Sequence, residues 1–188
     1  MPPSRLPRLG RAAPFAVMAA LLGAGLAGCS AFDDTPPPAC PRAAIIDEAK
    51  HATFYAEGAG RDLTDVAFEV GLTSLTGTCE YDIDEDNVSL ESVLTVTLEA
   101  RRGPAGVADE VEARYFVAIV DPEQRILAKQ VFPTRLVFAE SGIRAQKVEE
   151  VTQEFNVARG YFGADYEILL GLQLDREQFD QNLKRERR

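Results

Sequence analysis

The chain has no tryptophan, a single histidine (His51), two methionines and only three cysteines in 188 residues. One histidine rules out most zinc sites and most histidine-dependent triads, which draw on ring nitrogens at fixed spacing. No Cys-x-x-Cys pair occurs, so the dithiol redox motif is missing. A membrane-spanning helix needs roughly 20 apolar residues. The uncharged stretch from Ala12 to Gly28 falls short of that and is interrupted by Pro14. Positive charge is scarce as well: 20 Lys and Arg face 30 Asp and Glu, a net charge of −10, which argues against a general nucleic-acid binder. What is present, 46% hydrophobic and 27% charged residues, is the composition of an ordinary folded chain long enough for one domain.

The first acid is Asp33, whereas Arg5, Arg8 and Arg11 stand at the head of the chain. Behind them comes the stretch rich in Ala, Leu and Gly, closed by Leu26-Ala27-Gly28-Cys29. A positive head, a short apolar run and small residues describe a secretory signal peptide over 1–28. No adjacent arginine pair points to the twin-arginine route. Leu26-Ala27-Gly28-Cys29 resembles the lipobox of bacterial lipoproteins. That resemblance implies diacylglycerol on the Cys29 sulfur, cleavage after Gly28 and acylation of the freed amine. Ser30, rather than Asp, follows the cysteine, which in that family favours the outer membrane, with the domain facing the periplasm. Two or three acyl chains hold a protein on a bilayer far more durably than one. With the three arginines of the signal removed, 17 bases face 30 acids and the net charge becomes −13.

Export leaves Cys40 and Cys79 as an even pair in an oxidising compartment, which reads as a disulfide; two unpaired buried thiols are the alternative. Residues 29–39, with three consecutive prolines at 36–38, form an extended tether. The folded domain is expected over 40–183, followed by a basic tail at 184–188.

Period-two alternation dominates that domain. Val66, Phe68, Val70 and Leu72 alternate with mostly polar residues, and the apolar phase then shifts to Leu75, Cys79 and Tyr81, as a bulge would cause. Val88, Leu90, Leu94, Val96 and Leu98 form the clearest strand. Residues 115–120 are apolar on both phases, as in a central strand. Asp121-Pro122-Glu123-Gln124 is a turn leading into a hairpin strand at 126–132, and Pro133 marks a bend or an edge. Further strands are expected at 135–139, 146–157 and 166–174, while 43–58 permits a helical turn. Asp175 with Gln178 predicts a capping box and a terminal helix, with Leu174 stapled onto Phe179 and with Phe179 and Leu183 on one face. The fold class is therefore all-β, an antiparallel immunoglobulin-like or related β-sandwich with a short C-terminal helix. The stretches 60–66, 115–118 and 166–171 make the chain similar to small, uncharacterised lipoproteins of alphaproteobacteria, a likeness that brings no activity with it.

Asp82, Asp84 and Asp86 are a weak candidate calcium site. Gly at the sixth and Glu at the twelfth position of an EF-hand loop are replaced by Asn87 and Val93, and an acidic tip that stays in water fits better. Glu149, Glu150 and Glu154 offer carboxylates but no visible pocket, and read as the charged outer face of a strand. His51 has no nucleophile elbow beside it. The basic tail reads as a solubilising end. The expectation is a non-enzymatic envelope lipoprotein without cofactor, which binds or scaffolds a protein partner through sheet edges and Tyr161-Phe162. An ion- or small-ligand-binding lipoprotein is the alternative.

Overall fold

A computed structural model describes residues 38–58, 60–85 and 87–186. In chain order the elements are β1 (Arg42–Ile45), β2 (His51–Tyr55), β3 (Val66–Ile83), β4 (Val88–Arg102), β5 (Glu110–Val120), β6 (Ile126–Val137), β7 (Arg144–Asn156), β8 (Glu167–Leu172) and α1 (Arg176–Glu186). Two four-stranded sheets, β1-β8-β5-β6 and β2-β3-β4-β7, pack as a sandwich. From β3 to β8 the strand order is that of strands A, B, E in one sheet and C′, C, F in the other of an immunoglobulin sandwich. The place of the last immunoglobulin strand is taken by β1, which runs parallel to β8. No helix among the described residues is long and apolar enough to cross a membrane.

Alternation builds the core. Leu94, Val96, Leu98 and Ala100 of β4 point inward against Val117, Leu136, Ile168, Leu170 and Leu172 of the facing sheet, and Leu90 packs in a second cluster with Ile119, Val157 and Tyr166. The register shift between Leu72 and Ser74 skips Thr73, so the apolar residues before and after it stay on the same face. In β5, Val117 to Val120 are buried on both phases, and the strand is central in its sheet, between β8 and β6.

One expectation is filled in and two change. Residues 43–58 hold two short strands around one 3-10 turn, Asp47–Ala49. Strands this short carry too few alternations to be separated from a helical turn. The expected strand at 135–139 is the end of β6, which continues past Pro133. Helix α1 runs through Lys184 and Arg185 to Glu186, so these basic residues belong to the domain. Its capping box is present: the Asp175 amide donates to Gln178 Oε1 at 3.0 Å and the Gln178 amide to Asp175 Oδ1 at 2.8 Å. Its docking face is polar, however. Asn182 donates to the carbonyls of Glu48 and His51, and Gln178 to that of Thr53, while Phe179 remains exposed.

The four sheet edges are treated differently. β2 is five residues long, and Gln178 and Asn182 of α1 cap its Thr53 and His51 carbonyls. β1 has four residues. On β6 the Arg114 carbonyl opposite Pro133 accepts from the Gln173 amide of the β8 side. The Arg114–Pro133 pair therefore turns its polar groups away from each other, and Pro133 leaves a gap in the outward row of donors. A bulge near Leu127 disrupts the same edge. β7 has 13 residues, none of them proline and with no break in register.

Cys40, just ahead of β1, is bonded to Cys79 on β3 with Cα atoms 5.7 Å apart, so the bridge joins one sheet to the other. The tyrosine two residues beyond, Tyr81, donates its hydroxyl to the Ala39 carbonyl at 2.7 Å. A bridge spanning 39 positions stabilises by about 4 kcal/mol on the chain-entropy account. The Cys40→Ser, Cys79→Ser double variant should lose that amount in denaturant unfolding. A loss below about 1 kcal/mol would show that the bridge does not constrain the unfolded chain.

Candidate functional site

One end of the sandwich gathers Asp82, Asp84 and the Tyr161-Phe162 pair. The β3–β4 hairpin closes there with the Asp84 amide donating to the Asn87 carbonyl at 2.9 Å. Asp82, paired with Ser89, lies on the outer face. Cys29 and Asp86 lie outside the described residues. Among the described residues no three His, Cys, Asp or Glu side chains converge as a metal site. The Tyr161 hydroxyl donates to Glu123, which ties the β7–β8 connection to the β5–β6 turn and leaves Phe162 66% exposed.

Glu149 is not on the outer face. The inward phase of β7 is Ala145, Lys147, Glu149, Val151, Gln153, Phe155, which turns Glu149 toward β5 and β6 while Glu150 and Glu154 point to solvent. The expected carboxylate group is thus split between two faces. Glu149 Oε2 accepts from the Tyr115 hydroxyl at 2.7 Å. Its Oε1 accepts from Thr134 at 2.7 Å and lies 2.7 Å from Lys147 Nζ. Tyr115 is 1% exposed and the Glu149 side chain 17%. Burial pushes the Glu149 carboxyl up, but the donors Lys147, Tyr115 and Thr134 outweigh it and hold the group below the usual glutamate range. Burial, and then the neighbouring carboxylate, push the Tyr115 phenol well above its ordinary value. A carboxylate stabilised in its ionised form is poorly placed to donate a proton near neutrality; its work here is to close the seam between the β6 and β7 edges. Beside it, Phe54, Arg114, Thr134, Lys147, Gln173 and Gln178 line a cleft of about 540 Å3.

The outer face of β3-β4-β7 is graded in charge. Glu80, Glu91 and Glu154 stand side by side across the three strands. None of them meets a cation within ion-pair distance among the described residues. Like charges directly opposite one another on a sheet are destabilising. The middle carries Thr76, Thr78, Val93, Thr95, Thr152 and Val148, with Glu150 as its one charged side chain. At the far end Arg101 is directly opposite Arg144, and a shallow depression of about 280 Å3 is lined by His51, Glu69, Glu99, Arg101, Arg144 and Arg185. Burial, with Arg185 and Lys50, lowers the His51 imidazole below its ordinary value against the opposing pull of Glu69.

Comparison with protein families, with curated proteins and with solved structures finds no match to this chain. The inward position of Glu149 was missed from sequence, although the odd-numbered apolar residues Val151, Phe155 and Val157 carry the signal. Neither the amide docking of α1 nor the aligned acids of neighbouring strands has a local signature.

Because its folded-state pKa is depressed, Glu149 adds stability above the usual glutamate range, and that stability is lost as pH falls through the lower folded-state value. Glu149→Gln should cost about 1–3 kcal/mol at neutral pH and flatten the acid limb of the stability profile. Denaturant melts across pH test this; an unchanged acid limb rejects the ionised network.

Proposed function

We propose that the chain is a lipid-anchored lipoprotein of the bacterial outer membrane, facing the periplasm, whose sandwich binds or scaffolds an envelope protein without catalysis. The observation that carries the reading is Leu26-Ala27-Gly28-Cys29 placed directly behind a basic head and a short apolar run. Ser30 after the cysteine supports the outer membrane.

The domain supports the same reading. Residues 30–39 reach at most about 35 Å when extended, and at the end of that reach Cys40 and Ala39 are pinned to β3. A binding role suits what the surface offers beyond the β7 edge: an exposed aromatic at Phe162, beside Tyr161. An acidic domain is repelled by phosphate-rich lipid, which favours a position held off the bilayer.

Cys29→Ala tests the anchor. The wild-type chain should fractionate with membranes and carry the mass of its acyl groups, and the variant should appear in the soluble fraction without them. Unchanged fractionation, or a wild-type mass free of acyl groups, overturns the reading.

A further inference from the structure

The edge of β7 and the graded outer face meet in one arrangement. Antiparallel pairing with β4 fixes which backbone groups of β7 are used. The Val157 amide donates to the Val88 carbonyl, and the Arg102 amide to the Ile143 carbonyl. The even-numbered residues of β4 and the odd-numbered residues of β7 therefore face each other. The amides and carbonyls of Arg144, Gln146, Val148, Glu150, Thr152 and Glu154 point outward. Of these, the Thr152 carbonyl accepts from the neighbouring Gln153 side chain, and among the described residues no other hydrogen bond engages the row. Val148, in the middle of it, is 59% exposed. The other edges are short, capped or broken by proline and a bulge; this one is long and open, and such a strand is a template for another.

We propose that β7 pairs antiparallel with β7 of a second copy of this chain about a two-fold axis at Glu149, joining two four-stranded sheets into one continuous sheet. In this register Arg144 lies opposite the partner's Glu154, Gln146 opposite the partner's Thr152 and Val148 opposite the partner's Glu150. The two-fold axis repeats each pair. The row Arg101-Arg144 then runs on into the partner's Glu154 and the partner's Glu91, with neighbouring strands roughly 5 Å apart. The acidic end of one copy, where Glu80, Glu91 and Glu154 stand together, thereby meets Arg144 of the other, while Arg101 lies 3.9 Å from Glu69 of its own β3. Slipping the pair by two residues one way sets Glu150 against the partner's Glu150; slipping it the other way leaves Arg144 against the partner's Thr152. Centring the pair on Val148 instead sets Glu149 opposite the partner's Lys147, so what distinguishes the proposed register is the outer-face pair of Arg144 with the partner's Glu154. Glu149 meets the partner's Glu149 at the axis, and each is offset by its own Lys147, 2.7 Å away. The interface is isologous and closed, so it stops at two copies.

This inference does not rest on the lipid anchor, and its test reads association rather than location. The full chain, purified in a nonionic detergent, is measured by sedimentation velocity over rising concentration, with circular dichroism confirming the fold of each variant. The wild-type chain should dimerise, Arg144→Glu and Glu154→Arg should each weaken the dimer at least tenfold, and the double reversal should restore it. Hydrogen exchange should slow at the amides of Gln146, Val148, Glu150 and Thr152 as the dimer forms. A chain that stays monomeric at hundreds of micromolar overturns the proposal. So does a folded double variant that fails to recover, or a dimer whose β7 amides still exchange freely.

Discussion

Every backbone N–H and C=O at the margin of a sheet must find water, a side chain or another strand. A sandwich of two four-stranded sheets has four such margins. Much of this chain's sequence outside the core answers that constraint. The helix α1 exists as part of the domain because Gln178 and Asn182 supply amide donors to the outer carbonyls of β2. Pro133 occupies the one kind of strand position that costs no internal hydrogen bond. β1 fills the position beside β8 that an immunoglobulin sandwich normally gives to its last strand, and it does so with four residues that run the other way.

Glu149 shows a different economy of charge. Between β6 and β7 the interior is closed by a carboxylate whose two oxygens accept from Tyr115 and Thr134 and pair with Lys147. A buried charge is costly unless its hydrogen-bonding capacity is filled, and here both oxygens are engaged. The same group that fixes the spacing of the two edges keeps the inner side of β7 polar, where an aliphatic side chain would leave the Tyr115 hydroxyl without its acceptor.

Sequence alone conveyed what depends on neighbours in the chain. The alternation in β4, the phase change at Thr73, the turn before Arg125, the edge role of Pro133 and the Asp175–Gln178 cap are all local patterns, and the structure contains each of them. The pairing of Cys40 with Cys79 followed from counting thiols. What stayed hidden depends on which strands lie side by side. Glu80, Glu91 and Glu154 are far apart in sequence and adjacent only because β3, β4 and β7 are neighbours. β1 and β2 are too short for their own pattern to identify them; pairing with β8 and β3 is what makes them strands.

The position of Cys40 settles how a mechanical load travels through the molecule. A tug on the polypeptide upstream of residue 39 reaches the sulfur bridge before it reaches β1, and passes directly into β3, a strand zipped to β4 from Phe68 to Ile83. The weak four-residue ribbon is thereby spared from being peeled away rung by rung. The covalent link acts as strain relief on a cable, handing the load to a long ladder in place of a short one.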